Sequence, residues 1–326
     1  MKILQPYAEI WLQDIGSDVD DIKKSMLQHI ERCGRTCYKS ENHINSESYL
    51  KFVKMLENAN HTAMLEHGTI YLRLTIGSPI KDVKYFLKMD LINFFERNPY
   101  SKCKKHKEDV NYDGTSFEIT AYYITTNYRV IFEHNMWEKI KDYVVNPCEY
   151  HEQRITVHFS TDIGVTRELN RHRVDSMAEQ STRYCNYGKD KFNNEISINQ
   201  SAWLTDDMLK EDMKDFGLFV QEFPANVQCN IGEGFWSAIE WWLFANMVSE
   251  RAYMELITKG WKPEQARTVL PLDTHSELIH TAFVSDWKHL IDLRSNGTTG
   301  KPHPDAKKVV DVLKEELQEI YPNINW

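Results

Sequence analysis

Hydrophobic residues along this chain recur at two different spacings, and each spacing predicts one type of element. Residues 20–33 carry Ile22, Met26 and Ile30 four positions apart, which is the spacing of one face of an amphipathic helix. Residues 46–61 repeat this helical pattern. The N-terminal part of the chain is therefore predicted to form two successive helices.

Residues 67–76 show the other pattern, in which apolar and polar side chains alternate. Ile70, Leu72 and Leu74 occupy every second position, as expected of a strand that buries one face. Residues 154–164 alternate in the same way, so we predict a second strand there.

The remaining elements follow from the same two patterns. Mixed helices and strands without regular β-α-β alternation indicate an α+β fold. A polar run at 102–116 predicts a loop. The predicted helices cover 78–98, 127–145, 165–173, 234–260, 263–270, 285–294 and 306–321, and the predicted strands cover 117–126 and 272–284.

Composition and charge exclude several classes of protein. The 326 residues carry a formal net charge of −9, whereas nonspecific nucleic-acid binding depends on summed lysine and arginine contacts to phosphates. The N-terminal residues do not read as a signal peptide, and apolar stretches are short. We therefore expect a cytoplasmic protein that binds neither nucleic acid nor membrane. Six scattered cysteines without a Cys-x-x-Cys pair predict reduced thiols and no metal site.

The segment NRHRVDSMAEQSTRYCNY, residues 170–187, concentrates charge in a chain that is acidic overall. Arginine binds carboxylate or phosphate through two parallel hydrogen bonds, and Glu179 neutralises only one positive charge. A bound phosphate ligand, a solvated basic face and a buried ion-pair cluster at a subunit contact are all consistent with this composition. The charged residues of the segment include Arg171, His172, Arg173, Glu179 and Arg183.

This segment also resembles the signature of the flavin-dependent thymidylate synthases. RHRVDSMAEQS matches Arg-His-Arg followed by seven residues and serine, and the continuation Thr-Arg-Tyr matches as well. Three further segments agree in order and spacing: GRTCYKS at 34–40, HTAMLEH at 61–67, and the block at 266–294 that begins Ala-Arg-x-Val-Leu-Pro. The resemblance extends from about residue 30 to residue 294.

The resemblance implies a fold and a reaction. The implied fold is the thymidylate synthase-complementing type, a mixed or antiparallel sheet flanked by helices. Residues 1–326 would form a single catalytic domain with an α+β insertion at about 78–152. Family members convert dUMP to dTMP with methylenetetrahydrofolate and NADPH as co-substrates, and the reducing equivalents pass through FAD. They are homotetramers whose active sites are shared between subunits.

The resemblance also assigns site residues, and it implies no metal. Arg294 is the implied catalytic residue, because a cation beside the pyrimidine ring stabilises negative charge that develops there. Hydride and one-carbon chemistry belongs to the cofactors. The implied dUMP-binding positions are Glu168, Arg171, Glu179, Gln180, Ser181, Thr182, Arg183, Arg267 and Arg294. The implied FAD-binding positions are Cys37, His61, Ala63, Glu66, Arg171, His172, Arg173, Glu179 and His289.

Some positions depart from the family pattern. The family often has Asn-x-Arg at the flavin where this chain has Phe283 and Ser285, and many members have Asn where this chain has Ala178. These differences leave alternatives open. The same fold would serve hydroxymethylation of dUMP, methylation of another pyrimidine nucleotide, or nucleotide binding without catalysis.

Overall fold

The computed structural model describes residues 1–77, 84–112, 114–210 and 236–326. Ten α-helices occur in these ranges: α1 (Val19–Tyr38), α2 (Ser48–Asn58), α3 (Tyr85–Arg97), α4 (Tyr128–Glu133), α5 (Trp137–Ile140), α6 (Ile163–Leu169), α7 (Ala238–Thr258), α8 (Pro263–Ala266), α9 (Val284–Arg294) and α10 (Pro304–Ile320). Short 3₁₀ turns add Glu41–His43, Thr62–His67, Lys141–Tyr143, Asp190–Phe192 and Arg267–Val269.

Ten strands accompany these helices in the described part of the chain. They are β1 (Lys2–Leu4), β2 (Tyr7–Trp11), β3 (Thr69–Ile76), β4 (Lys102–Tyr112), β5 (Thr115–Asn127), β6 (Val144–Val145), β7 (Arg154–Asp162), β8 (Ser176–Glu179), β9 (Ser197–Asn199) and β10 (His275–Phe283). Strands β2-β7-β10-β8 form one antiparallel sheet and β4-β5-β3-β6 another, whereas β1 and β9 pair in parallel. The predicted α+β fold with mixed or antiparallel sheets is confirmed.

The first sheet has an apolar face and a polar face, because side chains alternate along each strand. Phe159 of β7 and Leu278 of β10 lie opposite each other and are fully buried against Trp287 of α9. The other face is turned towards α1, where Thr156 of β7 lies 2.8 Å from the Nε2 atom of His29. Polar groups are therefore buried between α1 and the sheet, next to the segment that carries the charged motif.

The predicted loop at 102–116 is wrong, because most of it is strand β4, which pairs along its whole length with β5. An exposed edge strand needs no apolar alternation, so its polar residues resembled a loop. Its lysines are paired with carboxylates. The pairs are Lys102–Asp286, Lys104–Glu152, Lys105–Glu96 and Lys107–Glu118.

The predicted helix at 127–145 is divided into α4, α5, a 3₁₀ turn and β6. Asn135 has a φ of 51°, the left-handed conformation that asparagine tolerates better than most residues. The amide of Asn135 donates to the carbonyl of Phe132, and the amide of Met136 donates to that of Ile131. Asn135 therefore ends α4, and the chain leaves the helical path.

In the described ranges, no helix has both the length and the apolar character needed to cross a lipid bilayer. The same ranges contain no group of histidine, cysteine and acidic side chains arranged to hold a metal ion.

Candidate active site

The charged motif leads from α6 to the edge of the first sheet. Asp162 accepts a hydrogen bond from the amide of Val165 at 2.8 Å and so caps the start of α6. The helix ends at Leu169, earlier than the predicted helix at 165–173, and Arg171 to Arg173 form a turn. The motif then enters β8, which pairs with β10.

A pocket of about 560 Å³ opens where the motif leaves β8. Arg267 reaches across it and donates from Nη1 to Thr182 Oγ1 at 3.2 Å. Arg167 of α6 also lines the pocket, although the sequence did not single it out. Guanidinium and hydroxyl donors around one cavity suit a small anion. Six predicted nucleotide-binding residues line this pocket: Glu179, Gln180, Ser181, Thr182, Arg183 and Arg267.

Backbone contacts hold the loop that carries Ser181. The amide of Ser181 donates to the carbonyl of Cys37 at 3.0 Å, and the amide of Gln180 donates to the carbonyl of Glu277 at 2.8 Å. Ser181 Oγ accepts from the amide of Arg183 at 3.3 Å. Within the described residues no histidine or lysine lies within hydrogen-bonding distance of Ser181 Oγ, so this hydroxyl fits a ligand contact better than a nucleophile.

Neutral donors, not arginines, surround the Glu179 carboxylate. It accepts hydrogen bonds from Thr166 Oγ1 at 2.7 Å, from Asn170 Nδ2 at 3.1 Å and from Ser276 Oγ at 3.1 Å. In the described part of the chain Glu179 forms no ion pair with the arginines of its motif. Glu179 therefore leaves their positive charge available for another anion.

Arg294, the last residue of α9, is held by α6. Its Nη1 donates to Glu168 Oε2 at 2.8 Å and its Nη2 donates to the Glu168 carbonyl at 3.1 Å. Its Nε lies 3.4 Å from Nε2 of His172. Because a guanidinium can only donate, His172 Nε2 is the acceptor and His172 carries its proton on Nδ1.

Burial keeps His172 neutral. Burial, together with the nearby His280 and Arg294, lowers the pKa of His172 to about 4. The ring of His289 lies 6.0 Å from the His172 ring, centroid to centroid. His172, His289, Arg294 and Glu168 thus form one cluster. Within it, Glu168 and Arg294 were predicted to bind dUMP, and His172 and His289 were predicted to bind FAD.

Arg171 and Arg173 are exposed beside this cluster. Over the described ranges neither side chain forms an ion pair. The ion-pair cluster at a subunit contact, which the motif allowed, stays a prediction. Both guanidinium groups are free to bind an anionic group of a ligand or of another chain.

The residues predicted on the flavin side lie in two places. Cys37 is buried in the core, and its Sγ lies 3.9 Å from Met64 Sδ, so its carbonyl and not its thiol reaches the motif. His61 Nδ1 lies 3.1 Å from the hydroxyl of Tyr38, whose ring packs 5.9 Å from Tyr184 of the motif loop.

Two flavin-side positions are less close to the motif. Ala63 is exposed in the 3₁₀ turn. Glu66 is buried and its Oε1 accepts from Nη1 of Arg129 at 2.5 Å. Arg129 lies in the segment predicted as an insertion. The sequence analysis did not single it out, and its only signal in the sequence is its position just after a predicted strand.

The segment predicted as an insertion also contacts the positions that depart from the family pattern. Phe283 is 7% exposed, and Nζ of Lys102 lies 4.3 Å from the centroid of its ring. Lys102 also donates to Ser285 Oγ at 2.5 Å and to Asp286 at 3.2 Å. A lysine of β4 therefore places a positive charge at the segment where the family pattern has an arginine.

Asp175 and His280 form a buried pair that the sequence analysis missed. Nε2 of His280 lies 2.8 Å from Asp175 Oδ2, and both side chains are almost fully buried. Asp175 lies inside the motif itself, so its carboxylate was a visible signal. The pair contributes to the electrostatic surroundings of His172.

Comparison with known proteins identifies the family of this chain. The model of the thymidylate synthase complementing protein family (Thy1) matches residues 146–323. A probable flavin-dependent thymidylate synthase of Paramecium bursaria Chlorella virus 1 is 25% identical over 173 residues, which are 53% of this chain and 71% of the relative. A flavin-dependent thymidylate synthase of Thermosipho melanesiensis is 26% identical over 162 residues, 49% of this chain and 63% of the relative.

A solved structure of the UMP/dUMP methylase PolB from Streptomyces cacaoi, bound with 5-Br dUMP, aligns with 98% of this chain and 93% of its own. The identity is 14% and the TM-score is 0.40, which is too low to support any conclusion. The family model, in contrast, covers more than half of the 326 residues and includes the whole charged motif. The chain therefore belongs to the thymidylate synthase complementing protein family.

Proposed function

We propose that this chain is a flavin-dependent thymidylate synthase that methylates dUMP at C5 of the pyrimidine to produce dTMP. Family membership and the names of the curated relatives support this reaction class. The observation that carries the proposal is the pocket in which Ser181, Thr182, Arg183 and Arg267 converge. Methylenetetrahydrofolate and NADPH are the proposed co-substrates.

The phosphate of dUMP is proposed to bind in this pocket. A nucleotide monophosphate is a small dianion, and two guanidinium groups with two hydroxyls supply charge-assisted hydrogen bonds to it. Glu179 does not compete for these donors, because Thr166, Asn170 and Ser276 occupy its carboxylate. The pocket therefore presents net positive charge in an acidic protein.

Arg294 is proposed to bind the pyrimidine ring. Uracil C5 is a weak nucleophile, and it becomes a stronger one when enolate-like negative charge develops on the ring carbonyl and N3. A cation fixed before the reaction stabilises this charge without reorganisation. Glu168 fixes the guanidinium by contacts to two of its nitrogens, at 2.8 and 3.1 Å.

FAD is proposed to bind beside Arg294. The exposed Arg171, Arg173 and His289 offer donors to its phosphates and ring, and His172 directs its Nδ1 proton away from Arg294. Bound FAD would supply the hydride that reduces the transferred methylene group. Cys37 would contribute its backbone, since its thiol is buried, whereas Glu66 would act through its pair with Arg129.

Self-association is part of the proposal. Arg171 and Arg173 lie exposed without an ion pair in the described part of the chain. In a homotetramer with shared active sites these side chains would meet ligands held partly by another subunit. Residues 1–326 are then one catalytic domain per subunit, and the segment 78–152 is an insertion in it.

The test is a complete reaction with dUMP, methylenetetrahydrofolate, NADPH and FAD, followed by mass spectrometry of the nucleotide. We expect dTMP as the product. The contact between Lys102 and Ser285 lies on the predicted flavin side, where the chain departs from the family pattern. The same experiment therefore tests for a hydroxymethyl nucleotide, which is heavier than dTMP by one oxygen. Binding of dUMP without any product would reject catalysis.

The visible absorption spectrum tests the cofactor separately. We expect the purified protein, loaded with FAD and freed of excess, to retain the absorption of a bound flavin. The matched control is Arg251→Ala, which changes an exposed arginine paired with Glu255 on α7. Arg173→Ala is expected to weaken flavin retention, and equal retention in both variants would remove Arg173 from the flavin site.

A further inference from the structure

A cysteine and a histidine contact each other at the turn from Cys148 to His151, between the two four-stranded sheets. The amide of His151 donates to the carbonyl of Cys148 at 3.0 Å and closes this turn. Cys148 Sγ lies 3.2 Å from Nδ1 of His151. The turn connects β6 to β7, and no residue of the proposed nucleotide or flavin site belongs to it.

The hydrogen bonds of His151 determine its tautomer. Nε2 lies 3.2 Å from the carbonyl of Leu72, which only accepts, so Nε2 carries the proton. Nδ1 lies 3.2 Å from the amide of Cys148, which only donates, so Nδ1 is unprotonated. The lone pair of Nδ1 is therefore directed at the backbone and the thiol of Cys148.

The surroundings keep this imidazole neutral and in place. His151 is 3% exposed, and the rings of Tyr71 and Tyr123 meet it edge to face at 5.2 and 5.1 Å. Burial lowers the pKa of His151. A nucleophile, a neutral base and a third group that orients the base form the arrangement of activated thiols.

Cys148 differs from the other cysteines in the described ranges. It is partly exposed, whereas Cys33, Cys37 and Cys185 are buried. Cys103 is partly exposed too, but within those ranges no imidazole approaches its sulfur, and burial raises its pKa to about 11. Cys103 is therefore an internal control of similar exposure.

A cavity provides the second, independent observation. It measures about 530 Å³ and is lined by His151 and Glu149 of the same turn and by Lys104 and Lys288. This volume is in the range of small-molecule sites. Both lysines are paired, Lys104 with Glu152 at 2.7 Å and Lys288 with Asp292 at 3.2 Å, so the wall carries both signs of charge.

We propose that Cys148 is a site of thiol–disulfide exchange with small disulfides, distinct from the proposed methyl transfer. The thiol of Cys148 gives its proton to Nδ1 of His151, and its sulfur attacks one sulfur of the disulfide. The old sulfur–sulfur bond breaks as the new one forms, and the leaving thiolate takes the proton from His151. The products are a mixed disulfide on Cys148 and one free thiol.

The first experiment uses the unmodified protein and oxidised glutathione as the probe. Peptide mapping by mass spectrometry follows modification of Cys148 and Cys103 in the same sample. In the folded protein we expect Cys148 to react at least about tenfold faster than Cys103. In guanidinium chloride the two rates should become similar, because the pairing with His151 is lost. Equal rates in the folded protein, or a ratio that survives unfolding, would overturn the proposal.

The variant His151→Gln tests the role of the base. Circular dichroism first establishes whether the variant has the native fold. In a folded variant, modification of Cys148 should slow to the rate of Cys103, and an unchanged rate would contradict the assignment. If the variant does not fold, the comparison of Cys148 with Cys103 in the unmodified protein decides.

Discussion

Glu168 holds Arg294 through both its side chain and its backbone. The Arg294 guanidinium donates to Glu168 Oε2 at 2.8 Å and to the Glu168 carbonyl at 3.1 Å. These residues belong to α6 and α9 and are far apart in the sequence. The contact joins the helix that precedes the charged motif to the end of the C-terminal block, and so it assembles the proposed site from both.

Arg294→Lys is expected to lower kcat much more than it lowers the affinity for dUMP. Lysine keeps the charge but loses the planar fork that contacts the Glu168 carboxylate and the Glu168 carbonyl. Removing one fixed donor at a developing charge costs roughly a hundredfold or more in rate. Single-turnover kinetics and calorimetric titration with dUMP measure the two effects. Unchanged turnover would remove Arg294 from the catalytic role.

Arg267→Ala is expected to weaken dUMP binding. The guanidinium of Arg267 lies in the pocket beside Thr182, 3.2 Å from its hydroxyl. A lost hydrogen bond to a charged group costs about 1.5–3 kcal/mol, which corresponds to roughly a tenfold to hundredfold increase in Kd. Isothermal titration with dUMP provides the measurement.

Arg251→Ala is the control for that experiment. Arg251 is also an exposed arginine, and its Nη2 lies 2.8 Å from Glu255 Oε1 on α7. Its removal should leave the affinity for dUMP almost unchanged. Equal losses of affinity in the Arg251 and Arg267 variants would indicate a general effect of charge and not a phosphate site.

Acid is expected to destabilise the fold through buried histidines. Burial lowers the pKa of His29 from 6.5 to about 3, and its Nε2 lies 2.8 Å from Thr156 Oγ1. Below pH 6.5 the His29 side chain therefore binds more protons in the unfolded chain than in the folded one. The stability associated with neutral His29 is fully present above that pH. It decreases as the pH falls from 6.5 towards 3. At pH 5 the loss from His29 is about 2 kcal/mol.

The variant His29→Gln isolates this contribution. Asp162, whose pKa is raised to about 6 mainly by burial, opposes the trend, because its protonated form is favoured in the folded protein. Urea unfolding of both proteins at several pH values removes this common background. The stability difference between them should shrink as the pH falls below 6.5. A constant difference would show that the pKa of His29 does not differ between the folded and unfolded states.

Trp287→Ala is expected to destabilise the protein by about 3–5 kcal/mol. The indole is fully buried, packs 6.1 Å from the Phe159 ring, and donates from Nε1 to the Ile155 carbonyl at 3.1 Å. Trp261→Ala is the control, because Trp261 is 46% exposed. Denaturant unfolding should show a much smaller effect for Trp261, and similar losses would contradict the position of Trp287 in the core.

The local sequence pattern was sufficient to predict the elements that bury one regular face. Alternation placed β3, β7 and β10, and helical spacing placed α1, because each buries a regular set of side chains. The motif and its family were readable because eleven consecutive residues, RHRVDSMAEQS, have fixed order and spacing. Five of the six predicted nucleotide-binding residues that line the pocket lie in this motif and the two positions after it, so the sequence alone placed these five together.

Other features depend on contacts between distant segments. Strand β4 looked like a loop because pairing with β5, and not its own apolar pattern, stabilises it. The tautomer of His172 depends on Arg294, and the charge at Ser285 depends on Lys102. No local spacing encodes such pairs, since hydrogen bonding and burial depend on which surfaces the folded chain brings together. The sequence therefore predicted which residues carry the chemistry, and the tertiary structure decided their partners and protonation.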